Sequence, residues 1–572
     1  MLRLAVFFIS NFGYYQVFNR KLHIHISFLP LLTIALQIMV LFTAGVLNML
    51  PEAASLLLIF GVALFIWDLC CKRFSEYRAY LDWSYVYMAV FFVLLLAALR
   101  GRKFSGYDDF SHWAAIVKEM LLNNRYPSFM DGNRIMFQSY PPGSATYIYY
   151  FCKAVAPQES MQMLAQAFML IAALMPLFSF SKKQTLWLTV YVTLFTSFSM
   201  VYLIRIYSLM VDTLLALFGM GAIAYVYKEC YLPVHTGTLW NGKRLLPVIP
   251  LLIAEVLLKN SGIFFVIPVI AMLFSMMKTQ RSCRKQCITA VLAPAAALFI
   301  WKKHCQYLFW DAEYSKHAMT MTNYASVISG KTGEDCRNIV LSVLRYTFTR
   351  KVILYMCAFL LLTAVLTWCL NRDDFKRTIR RLAFAAGAYL VYVVGICGMY
   401  LFSMPVGEAM QLAAIERYMQ TVDLLVFYVV SASLIELYGG LSGQKGTIAI
   451  VSAMCMALVL WGGLTEFSTI NVPNDTSFRE WIENRIEEYE IPEQSSYFIY
   501  AENSDYCGFI CRYLLWSENV ANTSHIEKKD LTRLSDYQYI FLKKQDDPIM
   551  NQWIREHYPE QFGSSIIDTR LN

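Results

Sequence analysis

Long apolar runs dominate this sequence and restrict what it can fold into. Hydrophobic residues make up 57% of the 572 residues, and only 16% are charged. Runs of roughly 17–25 apolar residues recur along the chain, which is typical of helices that cross a bilayer. We therefore predict an all-α polytopic membrane protein. About thirteen predicted spans follow from these runs, at 26–49, 53–70, 84–99, 160–180, 184–204, 208–227, 245–258, 262–277, 287–301, 352–370, 382–403, 420–438 and 446–462.

Basic residues between the predicted spans indicate the orientation of the chain. Lysines and arginines follow the second, fourth, eighth and tenth spans, for example at Lys72, Lys182, Lys278 and Arg380. All four loops fall on one side, which the positive-inside rule makes cytoplasmic. The sequence thus predicts a protein of the plasma (inner) membrane with a cytoplasmic N-terminus. The net charge of +8 comes largely from such loops and does not indicate a nucleic-acid partner.

This orientation gathers unusual polar residues on the outer face, in segments that include two long loops, 100–159 and 302–351. Charge is costly to bury in a bilayer, so ionisable residues within or near spans are candidates for function by default. The candidate site residues are Asp108, Asp109, His112, Tyr140, Arg205, Asp212, Lys259, Lys316, His317, Arg417 and Tyr418.

The stretch 107-YDDFSHWAAIVKEM-120 starts with an acidic pair. Either Asp108 or Asp109 suits a helix N-cap, and the following pattern predicts a short amphipathic helix over 110–122 at the membrane surface. A stiff turn follows at 140-YPPG-143. A carboxylate beside such a loop can take a proton from a hydroxyl or amine nucleophile. It can also bind a divalent cation, although that usually needs more oxygen ligands. A plain helix cap is the alternative interpretation.

These motifs resemble the GT-C superfamily of integral membrane glycosyltransferases, which includes protein O-mannosyltransferases and the lipid A aminoarabinose transferase. Bacterial relatives carry D-[DE]-F-S-H-W and then Y-P-P-G, as 108-DDFSHW-113 and 140-YPPG-143 do here. The resemblance covers roughly residues 80–440. The better-known relatives place their acidic loop after the first span, whereas three predicted spans precede it here. Softer matches are Tyr207 with Asp212, Leu258 to Gly262, Lys316 to Met319, and Arg417 with Tyr418.

The resemblance implies a sugar donor carried on a polyprenyl phosphate and a cell-envelope acceptor on the outer face. Asp108 or Asp109 would act as general base, and attack at the sugar C1 would invert the anomeric centre. Cations would stabilise the leaving phosphate. Asp212 would be functional, or only an ion-pair partner of Arg205 or Lys259. No cofactor is implied with certainty, and a divalent cation stays open. Residues implied to bind substrate are His112, Tyr140, Arg205, Asp212, Lys259, Lys316, His317, Arg417 and Tyr418.

The composition changes after about residue 463. The rest of the chain is polar, with helices predicted at 477–490 and 506–516 and strands at 496–501 and 537–542. This pattern indicates a small extracytoplasmic α/β domain over 463–572, after a transmembrane GT-C-like domain over 1–462.

Two other functions fit parts of the pattern. A transporter or flippase of lipid-linked sugars would place polar residues near mid-span, often with internal repeats, and the sequence has its polar residues near span ends. An O-antigen polymerase or ligase depends on arginines in a large outer loop and leaves the acidic pair unexplained. The sequence therefore favours a glycosyltransferase that moves a hexose or pentose.

Overall fold

The computed structural model describes residues 2–71, 80–128, 131, 134–202, 206–236, 242–308, 321–464 and 476–571. Within these ranges the chain is mainly helical, with one small sheet near the C-terminus. The helices are α1 Leu2–Leu22, α2 Leu29–Val46, α3 Leu50–Cys71, α4 Trp83–Leu99, α5 Ala114–Asn123, α6 Gly143–Ala154, α7 Glu159–Leu174, α8 Leu186–Val201, α9 Asp212–Tyr225, α10 Leu232–Thr236, α11 Val248–Leu258, α12 Ile263–Thr279, α13 Arg284–Leu308, α14 Met321–Ser329, α15 Gly333–Thr349, α16 Lys351–Leu370, α17 Arg372–Phe402, α18 Val406–Met410, α19 Ile415–Gly440, α20 Gly443–Leu464, α21 Ser477–Glu488, α22 Ser504–Leu515 and α23 Pro548–His557.

The helical, multi-pass character predicted from the apolar runs is confirmed. In the part of the chain that the structure describes, nine helical segments are long and apolar enough to cross a membrane. Two shorter apolar helices, α4 and α8, lie on predicted spans. Helices α9 and α11 coincide with the predicted spans 208–227 and 245–258 but have only 14 and 11 residues. The count of thirteen spans therefore stays a prediction.

Helix α1 was not among the predicted spans. It packs closely on α3, because a Cβ atom at Gly13 would lie 2.0 Å from the carbonyl oxygen of Gly61. Close approach at small residues is a common way for helices to associate in membranes. Asn11 within α1 accepts a hydrogen bond from Gln37 of α2 at 3.1 Å. Asn11, one of the polar residues that lower the hydropathy of this segment, thus has a partner inside the protein.

The direction of α1 relates the start of the chain to the loop that carries the acidic pair. Phe8 in the first half of α1 packs on Phe92 in the middle of α4, with ring centroids 4.8 Å apart. Arg20 near its end lies 3.6 Å from Asp68 near the end of α3. Helix α1 therefore begins at the end of the bundle where α4 ends. The loop that starts there, residues 100–113 with the acidic pair, is called the acidic loop below. The side of the membrane on which the N-terminus lies stays a prediction.

Two helical segments form the buried centre of the bundle. The most apolar stretch of Glu159–Phe180 is entirely buried inside the protein, and that of Ile415–Gly440 is 89% buried. The outer segments, such as Lys351–Leu370, are only about a quarter to a third buried over the same length. Because α19 starts beside the acidic loop, its first turn brings residues from the late part of the sequence to that loop.

Residues 476–571, called the C-terminal segment below, contain a four-stranded sheet with the strand order β2-β1-β3-β4. Its strands are β1 Tyr497–Tyr500, β2 Val520–Thr523, β3 Tyr539–Leu542 and β4 Ile566–Asp568. Strand β1 is parallel to both β2 and β3, and β3 is antiparallel to β4. Helix α22 connects β1 to β2, as parallel neighbours require. Both predicted strands and both predicted helices are confirmed, whereas β2 and β4 were not predicted.

Ion pairs hold the C-terminal segment against the loop that follows α4. Arg479, whose side chain is 5% exposed, forms two hydrogen bonds with Glu159 at 2.7 and 2.8 Å. The backbone NH of Phe104 donates to the same carboxylate at 2.7 Å. Lys103 pairs with Glu483 at 2.6 Å. The two parts of the chain are therefore joined at the base of the acidic loop.

Helix α22 covers the acidic loop directly. The hydroxyl of Tyr506 donates to the carbonyl oxygen of Ser105 at 2.7 Å. The ring of Phe110 packs on Tyr513 at 5.4 Å between centroids, and the Lys118 ammonium lies 4.8 Å from the centroid of the same tyrosine ring. The C-terminal segment thus forms one wall around the residues next to the acidic pair.

Candidate functional site

The acidic pair opens a π-helical turn, Asp109–Trp113, which continues into α5. Single π-helical turns are frequent at functional sites. Two predictions about this segment are wrong. Neither acid is a helix cap, because Asp108 forms no capping hydrogen bond with its side chain and the carboxyl group of Asp109 accepts from Ser208 and Leu209 instead. Residues 109–117 are all buried, and α5 becomes exposed only toward its end, as at Leu122. The first turns of this segment are therefore enclosed by protein and do not form an amphipathic helix at the membrane surface. The covering comes from α22, which the local pattern of residues 110–122 does not reveal.

Asp108 forms an ion pair with Arg417, across 309 residues of sequence. Arg417 lies in the first turn of α19. Ala414, the residue directly before this helix, has a left-handed backbone conformation (φ 61°). The Asp108 side chain is 33% exposed and that of Arg417 is 27% exposed. Nη1 of Arg417 also lies 3.0 Å from the sulfur of Met210, and its buried Nε has no hydrogen-bond partner among the described residues. The guanidinium can therefore accept a further anionic partner.

A second ion pair lies beside the first. Asp212, the first residue of α9, accepts a hydrogen bond from the ammonium of Lys259 at 2.7 Å. Lys259 directly follows α11 in extended backbone, and its ammonium lies 5.3 Å from the ring centroid of Tyr418. Of the partners predicted for Asp212, the structure shows Lys259. Arg417 is within electrostatic range of Asp212 as well as Asp108, so the two pairs form one charge cluster.

Asp109 has a very different environment from Asp108. It is fully buried, and its Oδ1 accepts hydrogen bonds from the Ser208 hydroxyl at 3.0 Å and the Leu209 backbone NH at 2.8 Å. A Cβ atom at Gly106 would lie 2.8 Å from its Oδ2, so only glycine leaves room there. Burial raises the pKa of Asp109 from its ordinary value to about 8, against the opposing effect of the two hydrogen bonds. At neutral pH this carboxyl group is mostly protonated.

His112 and Tyr140 form an aromatic wall beside the ion pairs. The Nδ1 of His112 donates to the carbonyl oxygen of Met136 at 2.7 Å. Its ring lies 4.4 Å from Trp113 and 4.8 Å from Tyr140, measured between centroids. Burial lowers the pKa of His112 to about 4, so the ring is neutral at pH 7. Its buried Nε2 is then an acceptor, with no partner among the described residues.

The structure brings together eight of the eleven candidate residues. The other three, Arg205, Lys316 and His317, lie outside the described residues. Ser208, Leu209 and Met210 contact the site but were not predicted, because a serine, a backbone amide and a methionine carry no signal of their own in the sequence. Their position one turn before Asp212 is the only hint. The residues gathered are Asp108, Asp109, His112, Tyr140, Asp212, Lys259, Arg417 and Tyr418.

The cluster combines charges that balance one another. Asp108 and Asp212 are matched by Arg417 and Lys259, while Asp109 and His112 are neutral at pH 7. Each pair offers a carboxylate that can accept a proton and a cation that can bind a phosphate oxygen. Within the described ranges, no group of three or more His, Cys, Asp or Glu side chains is arranged to hold a metal ion.

Comparisons with protein-family models, with curated proteins and with solved structures find no match to this chain. The resemblance to GT-C enzymes therefore rests on the sequence motifs around Asp108, Tyr140 and Arg417.

Proposed function

We propose that this protein is a membrane glycosyltransferase of the GT-C type. It transfers a sugar from a polyprenyl phosphate to an acceptor in the cell envelope, outside the plasma membrane. The observation that carries this proposal is the joining of Asp108 with Arg417, next to Asp212 with Lys259. A partly exposed carboxylate beside two cations suits proton removal from an acceptor and binding of a lipid phosphate in the same site.

The resting ion pair has a direct role in this proposal. A phosphate oxygen of the donor competes with Asp108 for Arg417, whose Nε has no partner among the described residues. Exchange of partners leaves the Asp108 carboxylate free to accept a proton. Donor binding thus produces the active base, and Arg417 changes from the partner of the base to the partner of the leaving group.

The transfer step follows from this arrangement. Asp108 takes the proton of an acceptor hydroxyl or amine as the acceptor atom attacks the sugar C1. The bond from C1 to the phosphate oxygen breaks, and its electron pair leaves with the polyprenyl phosphate. Arg417 and Lys259 stabilise the charge that develops on that phosphate. Attack opposite the leaving oxygen inverts the anomeric centre.

Asp108 is the base in this proposal and Asp109 is a positioning residue. Asp109 is fully buried, is held by Ser208 and Leu209, and has a pKa of about 8. A carboxyl group that is protonated at neutral pH and has no access to the acceptor is a poor base. Its hydrogen bonds tie the acidic loop to the segment before α9, which carries Asp212.

The proposed orientation keeps the acidic loop and the C-terminal segment outside the plasma membrane. Both lie at the end of the bundle where α4 ends. Since α1 begins at that end as well, the N-terminus belongs on the outer face too. Arg20 then lies at the cytoplasmic end of α1, in agreement with the positive-inside rule.

Transfer from a defined donor tests the proposal. Purified protein is given undecaprenyl phosphates carrying radiolabelled hexoses or pentoses, together with envelope extract as acceptor, and label leaving the lipid is measured. We expect Asp108→Asn to lower turnover by roughly 10²–10⁴-fold, the usual contribution of a general base. Asp546→Asn, a change at an exposed acid of the C-terminal segment, is the matched control and keeps wild-type turnover.

Donor binding is measured in parallel by the change in thermal stability of each variant. Binding that persists in Asp108→Asn while turnover is lost supports the assignment of the base. Equal turnover in wild type and Asp108→Asn would contradict it. Donor binding by wild type with no transfer of label, and movement of the intact lipid between leaflets instead, would favour a flippase.

A further inference from the structure

A large cavity lies between helices far from the acidic loop. Its volume is about 800 Å³, and most of its wall is apolar, with residues from α9, α12, α17 and α19. Pockets of roughly 300–1,000 Å³ are typical of sites for small organic ligands. Two of its lining residues, Ile267 of α12 and Val391 of α17, are 58% and 63% exposed. Since both belong to apolar candidate spans, the cavity opens sideways toward the bilayer.

Three arginines of α17 line one end of this cavity: Arg377, Arg380 and Arg381. Two carboxylates face them. Arg381 pairs with Glu436, Arg377 lies 3.5 Å from Glu436, and Arg377 is 2.5 Å from Asp374. These two carboxylates do not accept hydrogen bonds from all of the guanidinium N–H donors. Nε and Nη1 of Arg381 and Nε of Arg377 are buried without a hydrogen-bond partner among the described residues.

Lys228 adds positive charge to the end of the cavity that the three arginines line. Its ammonium lies 5.1 Å from the ring centroid of Phe180, which lines the cavity. It is within electrostatic range of Arg377, Arg381 and Glu436. Glu229 is also within range of Lys228, but it has its own partner in Arg244 at 3.1 Å. The four cations Arg377, Arg380, Arg381 and Lys228 therefore outnumber Glu436 and Asp374, and this end of the cavity has an excess of positive charge.

The cavity and the acidic site lie at opposite ends of α19. Arg417 is in the first turn of this helix, and Glu436 is near its end. At about 1.5 Å per residue, the separation along the axis is roughly 28 Å, close to the thickness of a bilayer core of about 30 Å. The arginines therefore lie near the other membrane face from Asp108.

We propose that this cavity binds an anionic phospholipid from the leaflet opposite the acidic site. The phosphodiester contacts Arg377, Arg380 and Arg381, and an acyl chain lies along the apolar wall, entering past Ile267 and Val391. Basic pockets between membrane helices on the cytoplasmic side are suited to lipid headgroups in this way. The excess of guanidinium donors selects an anionic lipid over a zwitterionic one, which brings its own cation.

Retention of lipid by the purified protein tests this assignment without using the transferase reaction. The probes are phosphatidylglycerol and phosphatidylcholine with identical acyl chains, and bound lipid is counted by native mass spectrometry. The test variant is Arg377→Gln with Arg380→Gln, which keeps the pair between Arg381 and Glu436. The matched control is Arg372→Gln with Lys376→Gln, which removes two charges from the same helix but none from the lining of the cavity.

We expect wild type and control to retain phosphatidylglycerol over phosphatidylcholine, and the test variant to lose at least roughly tenfold in that preference. A second variant, Ala271→Trp, places a large side chain at an exposed position in the apolar wall and should lower retention although every arginine remains. Equal preference in all four proteins would overturn the proposal. So would displacement of phosphatidylglycerol by an equimolar amount of polyprenyl phosphate, which would make this a donor site.

Discussion

The two ends of α19 differ in how they treat charge. At its start, Arg417 and the neighbouring Lys259 each face one carboxylate, and the C-terminal segment covers the adjoining loop. At its far end, Arg377, Arg380 and Arg381 border an apolar cavity. Some of the buried N–H donors of these arginines have no hydrogen-bond partner among the described residues. One end is balanced and enclosed by protein, and the other is cationic and open to lipid.

This difference indicates two kinds of recognition. In the proposed reaction, a charged ligand at the balanced end gains little until it displaces a partner, so donor binding would be coupled to activation of Asp108. In the proposed lipid site, an anion at the cationic end would bind without displacing a partner, which suits a permanently bound lipid. The predictions below test whether the two ends are as different as their charges suggest.

The largest effect is expected where the enclosed end is held together. Replacing Arg479 by Ala leaves Glu159 partly buried without its bidentate partner. Removing one partner of such a buried ion pair typically lowers the free energy of unfolding by about 3–5 kcal/mol. We expect the C-terminal segment to detach, which limited proteolysis between α20 and α21 would report. The control Arg555→Ala changes an arginine that packs on Phe562 within the same segment; equal protease sensitivity of the two variants would contradict the docking role.

A smaller effect is expected from Arg417→Gln. Loss of one donor to a developing negative charge typically lowers turnover by about 10²–10³-fold. Because Asp108 would lose its resting partner as well, donor binding should weaken together with turnover. Arg372→Gln, at the start of α17, provides the comparison and should leave both unchanged. Equal loss of turnover in both variants would mean that the two ends of the bundle do not differ in this respect.

The pair Asp212 and Lys259 should show coupling in stability. We expect the double variant Asp212→Asn with Lys259→Gln to lose less stability than the sum of the two single variants, by roughly 0.5–3 kcal/mol for residues in direct contact. Chemical unfolding of all four proteins gives the coupling. Additive losses would show that the 2.7 Å contact contributes nothing to stability.

The last prediction concerns the dependence of stability on pH. Asp109 keeps its proton up to about pH 8 in the folded protein, whereas an unfolded Asp loses it near 3.9. This raised pKa makes stability fall by up to about 1.4 kcal/mol per pH unit between those values. The lowered pKa of His112, about 4 against an ordinary 6.5, has the opposite effect between 4 and 6.5. The two contributions cancel there, and a net loss remains from 6.5 to 8.

Thermal unfolding of wild type and Asp109→Asn across pH 5–9 isolates this contribution. The difference between the two curves should change mainly up to pH 8 and level off above it. His112→Gln serves as a second comparison, since it should expose the Asp109 contribution between pH 5 and 6.5. A difference that does not vary with pH would show that Asp109 is ionised in the folded protein at neutral pH.

The sequence predicted much of the fold because the spans are marked by uninterrupted apolar runs, such as 352–370. Helix α1 was not predicted because Asn11, Gln16 and Asn19 lower its hydropathy. In the structure, Asn11 accepts a hydrogen bond from Gln37 of α2. Strands β2 and β4 have four and three residues, too few to show an alternating pattern. These elements depend on neighbours far away in the chain.

The members of the candidate site could be predicted, but their roles could not. Asp108 and Asp109 are chemically identical neighbours in the sequence. Only the positions of Ser208 and Leu209 make Asp109 a buried neutral acid, and only that of Arg417 makes Asp108 a partly exposed ion-pair partner. Likewise, burial of residues 109–117 depends on α22, which is nearly 400 residues away.

That distance has a consequence for biosynthesis. Glu483, the partner of Lys103, is 380 residues further along the chain. At about 5–20 residues per second, the ribosome needs roughly 20–80 s to reach it. During this time the acidic loop has already been made but lacks its cover. A chain that stops early, before α21, would keep its apolar spans and yet display Phe110, which is buried in the complete protein, to proteases and chaperones, so an uncovered loop marks an unfinished molecule.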